Sequence, residues 1–266
     1  MKKDKLFEGK VILITGGAGD IGLATAIRFA KEGADIAMVD VNEEGLKKAG
    51  NHLKAYNVRV ELYVCDVSTY ALVEKTVDNI VKDFSRIDFL FNNAGYQGVF
   101  KKVFDYPVED FDKVININLK GAFYVLRAVS KYMAERKKGC IVNTASMAGV
   151  DGPPNMVAYG ASKFSIIGIT QSAAKDLAPY NIRVNSISPA YMGPGNMWDR
   201  QIQLQAEAGS QYFSSDIKTV EKQMIGAVPM RRYGNIKEIP GTVVFLMSDD
   251  ASYITGVNIP ISGGIR

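Results

Sequence analysis

The fold of this chain is decided by the stretch VILITGGAGDIG, residues 11–22. A strand-like run of apolar and β-branched residues leads directly into a glycine-rich turn and then into a helical pattern. Gly17, Gly19 and Gly22 match the spacing G-x-G-x-x-G. In that motif glycines let the backbone turn tightly and approach a pyrophosphate, which rests on the helix N-terminus. Because the motif lies between a first strand and a first helix, it predicts a dinucleotide-binding site.

Apolar runs of strand length alternate with amphipathic helical segments along the rest of the chain. Further strands are predicted at residues 36–40, 60–67, 87–93, 140–146, 182–189 and 256–264. Predicted helices include 21–31, 159–178, 236–247 and a long helical region, broken near Pro107, that runs to Arg136. This alternation predicts an α/β fold of the Rossmann type, a doubly wound, seven-stranded parallel sheet with helices on both faces.

The domain organisation is predicted to be simple. A doubly wound chain of 266 residues usually forms one domain, so residues 1–266 are expected to be a single dehydrogenase-like domain. The segment 190–233 is interrupted by glycine and proline and lacks the strand–helix rhythm. We expect it to be an insertion that forms a lid over a substrate site, because it falls beyond the sixth strand.

Composition and charge exclude several classes of protein. The chain is 47% hydrophobic and 23% charged, which excludes a disordered or collagen-like protein. The net charge is only +4, and the basic clusters are limited to Lys2-Lys3 and residues 136–138. The second cluster is expected at a helix C-terminus, where basic residues are common. No nucleic-acid partner is therefore expected. The apolar run before the glycines is too short for a signal peptide and no stretch reaches membrane-spanning length, which predicts a cytoplasmic protein with no membrane partner.

The cysteines indicate a reducing compartment, and the single histidine indicates that the chain has no metal site. Cys65 and Cys140 lie in apolar, β-branched runs, so both are predicted to be buried strand residues in a reducing compartment. The single histidine, His52, lies in a polar helical stretch and is predicted to be on the surface. Because metal sites need several ligands, no metal is predicted.

Asp40 ends the second predicted strand, at the distance from the glycine motif expected for an acid that binds the adenosine ribose. Its carboxylate can accept hydrogen bonds from both ribose hydroxyls and would repel a 2′-phosphate. Val41 and Asn42 follow, and no basic residue occurs at 16–19. The pattern therefore predicts NAD rather than NADP, and the alternative is a strand-end Asp that caps the next helix.

Tyr159 and Lys163 are four residues apart at the start of a predicted helix, which places both side chains on one face. Ser146 ends the fifth predicted strand, at the sheet edge where such folds bind ligands. A phenol of pKa about 10 must reach roughly 8 to take a proton from an alcohol at neutral pH, and an adjacent ammonium favours that change. The set predicts alcohol–carbonyl chemistry with Tyr159 as the acid/base and Ser146 holding the substrate oxygen.

Over nearly its full length the chain resembles the short-chain dehydrogenase/reductase family. The matching motifs are Thr15, Gly16 and Gly22 of TGxxxGxG, Asp66-Val67, Asn92-Asn93-Ala94-Gly95, Asn118-Leu119-Lys120-Gly121, and Ser146, Tyr159 and Lys163 at the family's spacing. The resemblance implies that Lys163 also binds the nicotinamide ribose and that Asn118 holds a water in a proton relay, so the implied catalytic set is Asn118, Ser146, Tyr159 and Lys163.

The resemblance also implies the rest of the cofactor site and the assembly. The implied cofactor-binding residues are Gly16, Gly19, Asp20, Ile21, Gly22, Asp40, Val41, Asp66, Val67, Asn93, Ala94, Gly95, Tyr159, Lys163 and Pro189. A homo-oligomer is expected, and the resemblance implies a tetramer. The expected interfaces are the helices at 111–136 and 159–178 and the terminal strand. The alternative is that these long apolar helices only cover the sheet.

Two departures from the family pattern bear on the cofactor site. Asp20 stands where the family usually has glycine, and there it is expected either to cap the helix or to point away from the pyrophosphate. Pro189-Ala190 replaces the usual Pro-Gly, and Pro194 stands where a threonine often meets the nicotinamide amide. The sequence therefore leaves the contact to that amide open.

The segments around the expected substrate site, including NTASMAGVDGPPNMVAYG and SPAYMGPGNMW, resemble NAD-dependent polyol (xylitol) dehydrogenases of this family. That resemblance implies reversible oxidation of a polyol secondary alcohol to a ketose. The expected substrate contacts are Ser146, Met147, Asn155, Tyr159, Tyr191 and Trp198, with Gln97 and Met192 as further candidates.

Two other functions remain open. One is a 3-oxoacyl (acyl-carrier) or other ketone reductase on the same scaffold, which would favour NADPH and is opposed by Asp40. The other is a non-catalytic NAD-binding sensor, which would not need an intact set of Ser146, Tyr159 and Lys163.

Overall fold

The computed structural model describes residues 5–265, so the Lys2-Lys3 pair lies outside the described residues. The strands are β1 Val11–Thr15, β2 Asp35–Asp40, β3 Val60–Val64, β4 Phe89–Asn92, β5 Gly139–Thr144, β6 Ile182–Pro189, β7 Met192–Gly193, β8 Gly234–Asn235 and β9 Asn258–Ile261. The α-helices are α1 Asp20–Lys31, α2 Glu43–Leu53, α3 Tyr70–Phe84, α4 Val108–Ile115, α5 Ala122–Glu135, α6 Val157–Leu177, α7 Asn196–Glu207, α8 Ile217–Ala227 and α9 Ile239–Met247.

The predicted doubly wound sheet is confirmed. Seven strands form one sheet in the order β3-β2-β1-β4-β5-β6-β9, and every pairing in it is parallel. The order reverses between β1 and β4, because β2 and β3 extend the sheet in one direction and β4 to β9 extend it in the other. A crevice opens at the carboxyl ends of the strands at such a switch point, and this is where open α/β sheets bind ligands.

Two hydrophobic cores cover the two faces of the sheet. Ile12 and Ile14 of β1 pack into the core that contains residues of α1 and α9, whereas Val11 and Leu13 pack into the core that contains residues of α3 and α5. Successive side chains of a strand point to opposite faces, so a strand buried on both faces reads as a continuous apolar run. Burial of both faces therefore explains the pattern VILI in the sequence.

Four strands are shorter than predicted. The fourth covers Phe89–Asn92 rather than 87–93, and the fifth covers Gly139–Thr144 rather than 140–146, so Ser146 lies beyond its end. The third ends at Val64 rather than at residue 67, because the Asp66 carboxylate accepts hydrogen bonds from the backbone and hydroxyl of Ser68 and starts a turn. The last covers Asn258–Ile261 rather than 256–264, because glycines on both sides of it have positive φ, 77° at Gly256 and 59° at Gly263, which a strand does not allow.

The long helical region breaks at Pro107, as predicted, and contains an irregularity that the sequence did not reveal. Pro107 precedes α4, and a single π-helical turn, Asn116–Gly121, joins α4 to α5. A π turn inside an α-helix is rare and often occurs at functional sites. In this chain the turn contains Asn118, one of the implied catalytic residues.

The segment 190–233 contains α7 and α8 and has a small hydrophobic core of its own. The core is built from Trp198, Ile202, Ala206, Val220 and Met224. The segment is therefore more regular than its glycine and proline content predicts, since a few apolar residues on two facing helices suffice to pack them together.

Further predictions concern single residues. Cys65 and Cys140 are buried and free, as predicted, although Cys65 lies one residue beyond β3. His52 is exposed, and Arg136 is the C-cap residue of α5. Within residues 5–265 no helix combines the length and the apolar character needed to cross a bilayer.

Candidate active site

One cleft runs along the carboxyl ends of the parallel strands. Gly16 follows β1, Asp40 ends β2, Asn93 follows β4, Ser146 comes two residues after β5, and Pro189 ends β6. All five residues line this cleft. Because parallel strands point the same way, residues far apart in the chain meet at this edge, as the sequence predicted.

The glycine turn at one end of the cleft is held against β4. The Thr15 hydroxyl oxygen accepts hydrogen bonds from the backbone N–H groups of Asn93 (2.9 Å) and Ala94 (3.0 Å). Gly16 has a φ of 67°, and a Cβ at Gly22 would overlap the carbonyl oxygen of Gly16. A side chain at Gly22 is therefore incompatible with the turn, which brings bare backbone and the N-terminus of α1 to the cleft.

Asp20 does not cap α1, so that expectation was wrong. The N-cap residue is Gly19, and no side chain makes a cap hydrogen bond. A cap residue must have non-helical backbone angles, whereas Asp20 is already the first residue of the helix. Its carboxylate lies beside Gly195, where an added Cβ would be 2.5 Å from Oδ2. Asp20 thus connects the glycine turn with the segment 190–233.

Asp40 reaches the cleft from the end of β2. Its Oδ2 accepts a hydrogen bond from the backbone N–H of Ala18 at 3.0 Å, and its Oδ1 accepts one from that of Asn42 at 2.9 Å. Asn42, and not Asp40, caps α2, because its side chain accepts a hydrogen bond from the Gly45 N–H. The structure therefore does not support the alternative of Asp40 as a helix cap.

Ser146 and Tyr159 approach each other across the cleft. The Ser146 hydroxyl accepts a hydrogen bond from the Ala148 N–H at 3.1 Å and donates one to the Pro189 carbonyl oxygen at 3.4 Å. Tyr159 lies in the first turn of α6. Burial raises the pKa of the Tyr159 phenol, and its hydrogen bond with the Ser146 side chain lowers that pKa by a smaller amount.

Lys163 lies one turn further along α6 and is only 4% exposed. Its Nζ donates a hydrogen bond to the Thr144 carbonyl oxygen at 2.7 Å and lies 5.6 Å from the centre of the Tyr159 ring. Burial lowers the pKa of Lys163 to about 8. The sequence argument expected Lys163 to lower the pKa of Tyr159, but in this structure desolvation dominates both groups.

Asn118 lies behind the wall of the cleft, and its side chain makes three hydrogen bonds. Its Oδ1 accepts a hydrogen bond from the Tyr96 N–H at 2.7 Å. Its Nδ2 donates to the Tyr96 carbonyl oxygen at 2.9 Å and to the Ser162 hydroxyl at 3.0 Å. The Ser162 hydroxyl in turn donates to the Tyr159 carbonyl oxygen at 2.8 Å, so a hydrogen-bonded chain connects the π turn with the helix that carries Tyr159.

A short-chain dehydrogenase/reductase family model, described as enoyl-(acyl carrier protein) reductase, matches residues 16–266. The chain belongs to the short-chain dehydrogenase/reductase family. Membership makes it an oxidoreductase and confirms the family resemblance drawn from the motifs.

Members of this family with several different activities are similar to the chain. A solved structure of NAD+-bound xylitol dehydrogenase is 62% identical, has a TM-score of 0.96, and is matched over 97% of this chain and 99% of that one. Levodione reductase from Leifsonia aquatica is 39% identical over 97% of this chain and 94% of its own length. A 3-oxoacyl-[acyl-carrier-protein] reductase from Thermotoga maritima is 36% identical over 97% of this chain and 98% of its own length.

The cleft of this short-chain dehydrogenase/reductase brings together most of the residues implied by the sequence. Those that line it are Gly16, Gly19, Asp20, Ile21, Asp40, Asn93, Gly95, Gln97, Ser146, Met147, Tyr159, Lys163, Pro189, Tyr191, Met192 and Trp198. Those that lie beyond its lining are Gly22, Val41, Asp66, Val67, Ala94, Asn118, Asn155 and Pro194.

Sequence reasoning missed the polar residues that α7 brings to the cleft. Gln201 and Gln205 both line it, together with Trp198. The spacing 198, 201, 205 places these residues on one helix face, so that pattern was the signal that could have found them. The glycines and the proline at 193–195 directly before α7 make this part of the sequence look irregular and hide the pattern.

Proposed function

We propose that this chain is an NAD-dependent dehydrogenase that oxidises a secondary alcohol of a polyol, such as xylitol, to a ketose, and that also catalyses the reverse reduction. One observation carries the proposal: a chain 62% identical to a xylitol dehydrogenase presents Asp40 and the set Ser146, Tyr159 and Lys163 in a single cleft. The similarity to xylitol dehydrogenase supports a polyol as the substrate class, and the residues in the cleft support oxidation of an alcohol with a nicotinamide cofactor.

The residues present fit a nicotinamide dinucleotide. Gly16 and Gly19 line the cleft with bare backbone at the N-terminus of α1, which suits a pyrophosphate. The Asp40 carboxylate is available for the ribose hydroxyls. The further residues proposed to contact the cofactor are Asp20, Ile21, Gly22, Val41, Asp66, Val67, Asn93, Ala94, Gly95, Tyr159, Lys163 and Pro189. When bound, NAD supplies the hydride acceptor and a positively charged nicotinamide ring.

Tyr159 moves the proton in this proposal. The Ser146 hydroxyl, beside the phenol, holds the substrate oxygen, and Tyr159 removes the hydroxyl proton in oxidation and returns it in reduction. Lys163, with a pKa of about 8, is mostly protonated at neutral pH, and a positive charge close to the phenol favours its deprotonated form.

Asn118 and the segment 190–233 have supporting roles. We propose that Asn118 holds a water that connects Tyr159 with solvent. The Asn118 Nδ2 already donates to Tyr96 and Ser162, so the second lone pair of Oδ1 is the side-chain acceptor for that water. The segment 190–233 is proposed to be the substrate lid. Its Arg200 donates a hydrogen bond to the Gly98 carbonyl oxygen at 3.0 Å, which ties α7 to the loop after β4.

A substrate panel tests the proposal. Xylitol, sorbitol, a simple secondary alcohol and a 3-oxoacyl thioester are compared by the absorbance of NADH or NADPH at 340 nm, and the polyols are expected to have the highest kcat/KM with NAD. The second candidate, a 3-oxoacyl reductase, is favoured by the 36% identical relative. A preference for the thioester with NADPH would replace the polyol proposal and leave family membership untouched.

A homotetramer is proposed for the assembly. Phe123 on α5 and Phe164 on α6 are 46% and 47% exposed in the single chain. Large apolar side chains on two adjacent helices suit an interface between copies. Light scattering after size exclusion should give four times the 29.1 kDa mass of one chain, and a monomer would contradict the proposal.

A further inference from the structure

Gln205 is a buried amide in the cleft wall with poor hydrogen-bond partners. The residue is 2% exposed and lines the cleft. Its Oε1 accepts a long hydrogen bond of 3.5 Å from the Asn155 amide. Within residues 5–265 the partner of its Nε2 is the Met156 sulfur at 4.0 Å, and a thioether is a weak acceptor. Buried donors normally have a good partner, so this amide is organised for an acceptor that enters the cleft.

The position of Gln205 in the cleft is suitable for a contact with the substrate. Trp198, Gln201 and Gln205 lie on one face of α7, and all three line the cleft. Met156, the neighbour of the Gln205 amide, directly precedes α6, and Tyr159 lies in the first turn of that helix. Gln205 therefore lines the cleft beside the segment that leads into the helix of Tyr159.

Asn155, which donates the 3.5 Å hydrogen bond to Gln205, does not line the cleft itself. It has a φ of 65°, a left-handed conformation that asparagine tolerates better than most residues. Its carbonyl oxygen accepts a hydrogen bond from the Lys101 N–H at 2.9 Å, which fixes the loop. With Oε1 engaged by Asn155, the Nε2 group of Gln205 remains as the donor for a ligand.

On the basis of the proposed function, we propose that Gln205 is a specificity-determining residue that donates a hydrogen bond to a polyol hydroxyl remote from the reacting carbon, and that Asn155 is its positioning residue. A polyol has a hydroxyl on every carbon and can supply this acceptor. A simple secondary alcohol has an apolar chain at that place and leaves the donor unpaired. A site built to bind a hydroxyl discriminates strongly against a substrate that lacks it.

The test compares two substrates rather than one. Gln205→Met keeps the length of the side chain and removes its hydrogen bonds. At saturating NAD, we expect kcat/KM for xylitol to fall by about ten-fold and that for 2-pentanol to change less than about two-fold, because only the polyol loses a partner. Gln203→Met is the matched control, since Gln203 lies on the outer face of α7, where it binds Glu207 at 2.8 Å, and it should change neither value.

A second pair of variants separates positioning from folding. Asn155→Gly removes the amide and allows the positive φ. It should reduce kcat/KM for xylitol by a smaller factor, and the double variant should match Gln205→Met alone, since Asn155 acts through Gln205. Should Gln205→Met fail to fold, Gln205→Leu replaces it. Leucine also lacks hydrogen-bonding side-chain atoms, so this variant should show the same loss specific to the polyol.

The outcomes distinguish the two proposals. One outcome is that the wild-type enzyme oxidises xylitol while Gln205→Met lowers kcat/KM equally for xylitol and 2-pentanol, or lowers it for neither. In that case the role of Gln205 is overturned and the polyol function stands. Additive effects of Gln205→Met and Asn155→Gly overturn the positioning role. If the wild-type enzyme does not oxidise polyols at all, the proposed function fails, and the polyol role of Gln205 fails with it.

Discussion

Lys163 donates a hydrogen bond from its Nζ to the backbone carbonyl oxygen of Thr144, at 2.7 Å. The contact joins α6 to the carboxyl end of β5, two residues before Ser146. It therefore sets the distance between the helix that carries Tyr159 and the strand that leads to Ser146. The same contact holds a basic group in a dry environment, since Lys163 is 4% exposed.

The burial of Lys163 predicts a stability that depends on pH. Its pKa is about 8 in the folded chain, compared with an ordinary value of 10.5, so between these values the unfolded chain binds more protons and stability rises with pH. Below pH 8 the charged form costs about 3 kcal/mol. Lys163→Met removes this cost. The free energy of unfolding of the variant minus that of wild type should therefore decrease by up to about 3 kcal/mol as the pH rises from 7 to 10. Urea unfolding at several pH values measures the difference, and a constant difference would refute the prediction.

Tyr159→Phe should reduce turnover by about 1,000-fold, because the proposed acid/base loses its proton-transferring oxygen. NADH binding, followed by fluorescence, should stay within about two-fold of wild type, since the ring remains in place. Tyr253→Phe is the matched control, because Tyr253 is fully exposed. Turnover within a few-fold of wild type would reject Tyr159 as the acid/base.

Asp40→Ser should narrow the preference for NAD over NADP. Removal of the carboxylate relieves its repulsion of the 2′-phosphate, worth about 1 kcal/mol even in water at 4 Å, so the ratio of the two kcat/KM values should fall by at least about five-fold. Asp35→Ser at the other end of β2 is the control, because its carboxylate binds the Arg59 N–H away from the cleft. If the ratio of kcat/KM with NAD to kcat/KM with NADP did not change, Asp40 would not be the residue that binds the adenosine ribose.

Asp20→Asn should tighten NADH binding by about five-fold at low salt, because a carboxylate at the glycine turn repels the pyrophosphate. The gain should shrink as salt is added, since exposed charges are screened. Glu32→Gln at the opposite end of α1 should have no such effect, because Glu32 pairs with Arg28. Weaker binding by Asp20→Asn would show instead that Asp20 supports the turn through its contact with Gly195.

Much of the site could be predicted because its signals are local. The i, i+4 spacing of Tyr159 and Lys163 placed both on one helix face, and both line the cleft. Asp40 at the end of β2 and Ser146 just beyond β5 could be located because parallel strands end at a common edge. Asn155, an expected substrate contact, lies beyond the lining of the cleft, whereas Gln205, fifty residues away in the chain, lines it.

By itself the sequence determined the sheet, its strands and the glycine turn, since these depend on hydrophobic period and on backbone freedom within a few residues. Only the tertiary structure decided what depends on contacts between distant segments. Such contacts determined the burial that lowers the pKa of Lys163, the approach of Asp20 to Gly195, and the arrangement in which Asn155 holds the Gln205 amide. Periodicity specifies which face of an element is buried, whereas the partner on that face is chosen by packing of the whole chain.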